Sequence, residues 1–265
     1  AIPTFTSSEI KNVTTTGYDV YIYGVTDLGT GVNRVQFPTW TENNSQDDIQ
    51  TNWPSNSAAT GVKQSDGTTW VYHVNTSDHN YEAGEYHTHI YLYDNAGNYS
   101  FTLPYNNGTT TVPTVTASFN SNGGNTPSPS TIVRAYNNQL GTLPTTSRTG
   151  YTFAGWYTAA SGGTQISTTT RMPASNTTYY AHWTVNQYTV TCEDWFVDAS
   201  DTRRVKLATV GTAQYNYGST ANGSDWGTGL ASGVSSYYRY HSSTSATVGT
   251  SGAIVYRYWY VWVDS

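Results

Sequence analysis

Alternation of hydrophobic and polar residues marks several strand-like segments in the first part of the chain. Residues 17–26, 69–74 and 84–93 alternate in this way, and each is expected to form one strand. Residues 34–40 form a fourth segment, whose proline is expected to confine it to the edge or end of a sheet. Strands at this spacing, separated by polar turns, predict a β-sandwich over residues 1–111.

The last part of the chain opens and closes on longer strand-like segments. These are residues 187–197 and 253–263, with a stretch rich in glycine, serine and tyrosine between them. Successive side chains of a strand point to opposite faces. One face of the terminal strand would therefore carry Ile254, Tyr256, Tyr258, Tyr260 and Trp262, and the other Val255, Arg257, Trp259, Val261 and Val263.

Aromatic residues are more concentrated in this last part than the core of a domain of its size requires. An exposed aromatic platform could stack against sugar rings, because a flat apolar face with a polar edge matches a pyranose. The alternative is that both faces of the terminal strand are buried, against loops or neighbouring modules. The residues expected to form the platform are Tyr215, Tyr217, Trp226, Tyr238, Tyr256, Tyr258 and Trp262.

Composition supports an all-β fold and argues against two classes of partner. Strong helix formers are scarce, since lysine occurs only at positions 11, 63 and 206, while 15% of residues are aromatic. The net charge is −6 and the eleven basic residues are scattered, whereas nucleic-acid binding needs a clustered basic footprint. The same scatter argues against an anionic membrane surface, and the longest apolar run is too short to span a bilayer.

A single cysteine, Cys192, allows no intrachain disulfide and no thiolate zinc site. Together with the composition rich in threonine and asparagine, this favours the surface of a Gram-positive cell. Neither a signal peptide nor a wall-sorting tail is recognisable, so we expect the chain to be a fragment that adjoins further domains of a longer protein.

Motifs for nucleophilic catalysis are missing from the sequence. It contains no Gly-x-Ser-x-Gly elbow, no phosphate-cradling glycine loop and no dinucleotide fingerprint. Cys192 with His182 and Asp194 could suggest a cysteine nucleophile. We expect Cys192 instead to be a small buried strand residue. The chain is therefore predicted to be no enzyme and to fold without cofactors.

Four histidines, His73, His79, His87 and His89, fall within seventeen residues. His87 and His89 would share one face of a strand, which makes them candidates for a zinc or nickel site. The interpretation we favour is that these histidines form hydrogen bonds with the backbone and across the sheet, without a metal.

Two adjacent carboxylates, Asp47 and Asp48, with Glu42 nearby, are candidates for a calcium loop or an acid pair. Adjacent strand residues point to opposite faces, and no spaced Asp-x-Asp-x-Asp-Gly loop is present. We therefore expect these carboxylates to be solvated or to cap local backbone groups.

A set of short motifs runs through the first segment. The motif residues are 37–40 (Phe-Pro-Thr-Trp), 46–49, 77–80, Gly84, Tyr86, 89–91 and 94–98. In these residues the segment resembles the group B streptococcal Bsp-like repeat, over most of its length. The resemblance implies a surface or wall-associated protein, of a kind often found beside wall hydrolases. Residues 51–52 are an insertion relative to the family pattern, in which the tryptophan at position 53 would be expected earlier.

The second segment carries a longer and more specific set of motifs. They are residues 115–119, 122–124, 141–144, 148–157 (Arg-Thr-Gly-Tyr-Thr-Phe-Ala-Gly-Trp-Tyr) and 178–183 (Thr-Tyr-Tyr-Ala-His-Trp). Together they resemble the internalin B-type repeat, or Listeria–Bacteroides repeat, which implies a small β-grasp-like module. Gly150 and Gly155 permit tight turns. The residues expected to build its core are Phe153, Trp156, Tyr180 and Trp183.

Residues 185–265 resemble mucin-binding-type β-modules in layout. We therefore expect three tandem all-β modules: an Ig-like β-sandwich at 1–111, a β-grasp-like repeat at 114–184 and an aromatic-rich β-module at 185–265. The expected function is adhesion or display at the bacterial cell surface or cell wall, with a glycan or host protein as ligand. The alternative is a carbohydrate- or peptidoglycan-binding accessory region of a larger cell-wall or polysaccharide hydrolase.

Overall fold

The computed structural model describes residues 1–104 and 106–261, and its regular structure is β-strand with short 3₁₀ turns. The strands over residues 7–112 are β1 Ser7–Thr14, β2 Gly17–Tyr23, β3 Val32–Gln36, β4 Thr39–Thr41, β5 Val62–Lys63, β6 Trp70–Asn75, β7 Gly84–Thr88, β8 Ile90–Asp94, β9 Tyr99–Thr102 and β10 Thr109–Val112. The 3₁₀ turns are Asn43–Ser45, Ser57–Ala59, Thr76–Asp78, Asn106–Gly108 and Gly223–Trp226.

Ten further strands follow along the chain. They are β11 Val115–Asn120, β12 Thr131–Arg134, β13 Tyr151–Tyr157, β14 Thr177–Val185, β15 Gln187–Val197, β16 Arg204–Asn216, β17 Thr220–Asn222, β18 Tyr238–Ser243, β19 Ser245–Thr247 and β20 Ala253–Val261. The prediction of an all-β fold is confirmed. The described part of the chain contains no helix with the length and apolarity that crossing a membrane requires.

Contacts group the chain into two compact units. The first comprises Ala1–Phe119, Pro129–Pro144 and Ile166–Tyr179, and the second comprises Asn120–Ser128, Thr145–Gln165 and the residues from Tyr180 onward. Each unit is built around its own hydrophobic cluster.

The first unit contains a β-sandwich. One layer is the sheet β1-β2-β6-β5, and the other is formed by the sheets β3-β8-β9 and β10-β7-β4. In β2, Tyr18, Val20 and Ile22 are buried while the residues between them are half-buried, which is the alternation predicted for this segment. Residues of both layers, including Ile22 and Leu92, belong to one core cluster, so the core lies between the layers.

Two segments predicted as single strands are each broken into two. Residues 34–40 divide at Phe37 and Pro38 into β3 and β4, which belong to different sheets. Residues 84–93 divide at His89 into β7 and β8, which also belong to different sheets. Both β3 and β4 are edge strands, as expected for a segment containing proline, because proline cannot donate a ladder hydrogen bond. The prediction of one continuous strand over 84–93 was wrong, since periodicity does not reveal where a strand changes sheets.

The aromatic residues of the repeat at 114–184 are less buried than predicted. Trp156 is 1% exposed, but Phe153 is 36% exposed, and Tyr180 and Trp183 are half-buried. Tyr179 is buried in their place, because the inward face of β14 carries Tyr179 and Ala181. The prediction that Tyr180 belongs to the core was therefore wrong by one residue, because Tyr179 and not Tyr180 lies on the buried face of β14.

The C-terminal part of the second unit is a mixed sheet in the order β16-β15-β20-β18. β15 pairs in parallel with β20, whereas the β15–β16 and β18–β20 pairs are antiparallel. A two-stranded ribbon of β17 and β19 contributes Ala221 to a core cluster that also includes Val190, Cys192, Val248 and Val255. One face of the sheet is therefore buried.

Candidate functional site

The opposite face of the C-terminal sheet, which we call the outer face, carries a group of partly exposed aromatic side chains. In β20, Val255, Arg257 and Trp259 are buried, while Tyr256, Tyr258 and Tyr260 between them are half-buried. The rings of Tyr256 and Tyr258 stack with centroids 6.1 Å apart. The two-residue period predicted for this strand is confirmed over the described residues.

The neighbouring strand adds a tryptophan to this face. Trp195 of β15 lies opposite Tyr258 in the parallel register, and its ring contacts Tyr256 edge-on at 6.0 Å. The indole Nε1 of Trp195 donates to Glu193 at 2.9 Å, and Lys206 contacts the same carboxylate at 2.5 Å. The hydrogen bond to Glu193, which is itself paired with Lys206, thus holds the indole ring in place.

An open cleft adjoins these aromatic residues. It has a volume of about 700 Å³ and a mixed lining, with apolar residues such as Phe196 and Val197, charged or polar residues such as Asp198, Asp201 and His241, and the rings of Tyr258 and Tyr260. The guanidinium of Arg204, another lining residue, lies 4.8 Å from the centre of the Tyr258 ring. A cleft of this size with aromatic walls and a few polar groups is typical of small-ligand sites.

The structure separates the aromatic residues that the sequence grouped into one platform. Tyr256 and Tyr258 lie on the outer face. Tyr215 stacks on Trp226 at 6.0 Å, and both rings pack against the buried core on the other side of the sheet. Tyr238 contacts Phe196 at 6.0 Å.

Tyr217 packs inside the second unit rather than on the outer face. Its ring contacts Tyr151 at 6.1 Å and covers Gly150, where a Cβ atom would fall 2.1 Å from the ring. Gly150 also has φ of +77°, which favours glycine. Tyr217 and Asn186 therefore pack on Gly150 and Tyr151 of the preceding repeat. Trp262, the remaining predicted platform residue, lies outside the described residues.

A buried ion pair supports the outer face from beneath. Arg257 is 1% exposed, and its Nε and Nη2 donate to the two carboxylate oxygens of Asp194 at 2.7 and 2.8 Å. Its Nη1 donates to the carbonyl oxygens of Trp226 at 3.1 Å and Gly227 at 3.0 Å. Asp194 also accepts the backbone N–H of Ala231. Each side-chain nitrogen of Arg257 and each carboxylate oxygen of Asp194 therefore has a hydrogen-bond partner, as burial of charge requires.

The histidines of the first unit fall into distinct environments. His79 is buried and its Nδ1 lies 2.8 Å from Asp48, whose carboxylate also accepts the N–H of Thr41. Asp48 thus caps local backbone, as predicted. His73 is exposed and lies 2.5 Å from Asp19.

His87 and His89, the candidate metal ligands, both contact Trp40. The ring of His87 stacks on Trp40 at 5.4 Å, and that of His89 contacts it edge-on at 4.8 Å. Burial, followed by the nearby His87, lowers the pKa of His89 below its usual value. The groups gathered around His87 are two carboxylates, Glu42 and Glu85, and not His89.

Cys192 is fully buried in the core cluster of the second unit, where the sequence predicted a small buried residue. Burial raises the pKa of its thiol to about 11. Because the thiolate is the reactive species, this environment opposes a nucleophilic role.

A disulfide-exchange reagent should therefore distinguish folded from unfolded chain at Cys192. We expect the native chain to release no measurable chromophore from 5,5′-dithiobis(2-nitrobenzoate), and the chain in concentrated guanidinium to release one equivalent, followed by absorbance. Reaction of the native chain as fast as that of the denatured chain would mean that Cys192 is accessible.

Two family models match this chain. Residues 7–106 match the GBS Bsp-like repeat, and residues 116–182 match the Listeria-Bacteroides repeat domain. Both resemblances drawn from the sequence motifs are confirmed by these matches.

Individual proteins also resemble parts of the chain. Internalin H of Listeria monocytogenes is 43% identical over 95 residues, which are 34% of this chain and 16% of that protein. The chain therefore spans only a small part of the length of this relative. Among solved structures, a polysaccharide deacetylase from Bacillus cereus matches with 12% identity and a TM-score of 0.28. The match covers 46% of this chain and 33% of the deacetylase chain. A match at that TM-score supports no argument about function.

Proposed function

We propose that this chain, which contains a GBS Bsp-like repeat and a Listeria–Bacteroides repeat, is a non-catalytic extracellular segment of a bacterial surface protein that binds glycans. The glycan stacks on the outer face of the C-terminal sheet. The observation that carries the proposal is the group formed by Trp195, Tyr256 and Tyr258, whose rings share one partly exposed sheet face beside an open cleft.

The chemistry of this face suits a sugar better than a purely apolar partner. Aromatic rings offer flat apolar surfaces for the C–H face of a pyranose. Glu193, Lys206 and Arg204 surround these rings with hydrogen-bonding groups that can contact hydroxyls at the rim. The surface location is supported by the two matched repeats and by the 43% identity to Internalin H of Listeria monocytogenes over 95 residues.

Removing two rings of the outer face should abolish glycan binding. In a screen of the purified chain against mucin glycans, plant polysaccharides and peptidoglycan, we expect saturable binding to at least one class. In the Trp195→Ala/Tyr258→Ala variant that affinity should fall roughly tenfold or more for each ring, because stacked anchors dominate such sites. Isothermal titration calorimetry or a glycan array measures the loss.

The matched control is Tyr237→Ala, which removes a tyrosine of the same unit that is 74% exposed. It should bind like the unmodified chain. A chain that binds none of the three glycan classes, or loses affinity equally in the control, would refute the proposed site. Binding to peptidoglycan alone would favour an accessory region of a cell-wall hydrolase.

A further inference from the structure

Three potential metal ligands converge on one sheet face of the first unit. Glu85 and His87 are two residues apart on β7 and share its outward face, since Tyr86 between them is fully buried. β4 pairs with β7 so that Trp40 lies opposite His87 and Thr41 opposite Tyr86. Glu42 directly follows β4, at the start of the turn Asn43–Ser45, and its carboxylate reaches His87.

The three ligand atoms are already within a few ångströms of one another. His87 Nε2 lies 2.8 Å from Glu42 Oε1 and 3.0 Å from Glu85 Oε1. The potential ligand atoms of these residues all lie within 4.8 Å of each other. Around a tetrahedral zinc ion, with ligand bonds of about 2.0–2.2 Å, ligand atoms are separated by roughly 3.4 Å. Small rotations of the two exposed carboxylates would therefore accommodate the ion.

The electrostatics of this group call for a cation. The carboxylates of Glu42 and Glu85 carry like charges within 4.8 Å of each other, so they repel one another. His87 Nε2 faces both, yet it is a buried atom without a hydrogen-bond partner, because the directions to the two oxygens do not suit one. Short approach without a hydrogen bond is the arrangement that a shared metal ion would resolve.

The remaining contacts of His87 hold its ring in a suitable orientation. The ring stacks on Trp40, which is 7% exposed, and Nδ1 lies 3.5 Å from the hydroxyl of Thr109 on β10. If Nδ1 carries the proton and donates it to that hydroxyl, Nε2 presents its lone pair to the space between the carboxylates. Such support of the distal ring nitrogen is usual for metal-binding histidines.

We infer that Glu42, Glu85 and His87 form a binding site for a divalent transition-metal cation of borderline softness, such as Zn²⁺. One imidazole nitrogen and two carboxylate oxygens are ligands that this class of cation accepts. Three protein ligands leave at least one coordination position for water or for a group from a partner.

The test uses the whole chain without an affinity tag, treated with a chelator and then titrated with Zn²⁺ in a calorimeter. We expect one saturable equivalent. Glu42→Gln and Glu85→Gln should each weaken binding at least about tenfold, and the double variant should abolish the saturable event. Glutamine is isosteric with glutamate, and both positions are exposed, so the fold is retained. Equal melting temperatures of the metal-free proteins check this.

Matched controls are Glu9→Gln and His73→Gln, which alter an exposed carboxylate and an exposed histidine of the same unit. Both should keep the zinc equivalent. A wild-type chain with no saturable event would overturn the site. So would a double variant that still binds one equivalent, or controls that lose binding as fully as the Glu42 and Glu85 variants.

Discussion

Replacing Arg257 by methionine is expected to lower the free energy of unfolding of the second unit by about 3–5 kcal/mol. The guanidinium forms four hydrogen bonds, two with the carboxylate of Asp194 and two with backbone carbonyls. Without it, Asp194, which is 0% exposed, would remain as a buried charge with only the N–H of Ala231 as partner. The cost of that uncompensated charge is the main part of the expected loss.

The loss of stability is measured by unfolding the chain in guanidinium and monitoring hydrogen exchange of the amides of β15 and β20. Hydrogen exchange is needed because two compact units need not unfold in one transition. The control is Asp201→Asn, which breaks the exposed pair between Asp201 and Arg204 and should cost less than about 1 kcal/mol.

A second variant separates loss of the pair from loss of packing. In Asp194→Leu/Arg257→Met no buried charge remains, so much of the stability should return. If Arg257→Met alone were as stable as the unmodified chain, the pair would not be buried in solution. If the double variant were less stable than either single variant, packing rather than charge would account for the loss.

The first and last strands of the C-terminal sheet along the chain, β15 and β20, were predicted directly from the sequence. Residues 187–197 were predicted as a strand and form β15, and residues 253–261 form the described part of the predicted terminal strand. The two faces of β20 were also assigned correctly. Period-two alternation over nine or more residues is a strong signal, because a strand that buries one face has few other ways to arrange these side chains.

The burial of Arg257 could not be predicted from the strand alone, because arginine is rarely buried without a partner. Its burial depends on Asp194, which lies opposite Arg257 through the parallel pairing of β15 and β20. Parallel pairing between strands some sixty residues apart leaves no local pattern. The same pairing brings Trp195 beside Tyr256, so the tryptophan of the proposed glycan site was also missed.

The group of Glu42, Glu85 and His87 could likewise be predicted from the sequence only in part. The spacing of Glu85 and His87 places them on one face, and this much follows from the sequence. Glu42 joins them because it directly follows β4, and β4 pairs with β7 only after the chain changes sheets at Phe37 and Pro38. His89, the second candidate ligand considered from the sequence, lies where the chain leaves β7 for β8.

Truncation of Phe37 to alanine is expected to destabilise the first unit by about 3–5 kcal/mol. Phe37 is fully buried in the core cluster and stacks on Tyr72 at 5.3 Å. Its ring passes so close to Gly61 that a Cβ atom there would fall 2.4 Å from the ring. Phe37 is also the residue at which the chain passes from β3 to β4, so its ring anchors both edge strands to the core.

Unfolding of the chain in urea, monitored by hydrogen exchange of the β2 and β6 amides, measures this loss, with Phe101→Ala as the matched control. Phe101 lies on β9 and is 47% exposed, so its truncation leaves no enclosed cavity and should cost less than about 1 kcal/mol. Equal destabilisation by the two variants would mean that the space around Phe37 collapses on truncation. The Gly61→Ala variant should also have a lower free energy of unfolding than the unmodified chain. Here the cause is overpacking, because the ring of Phe37 must move to make room for the new methyl group.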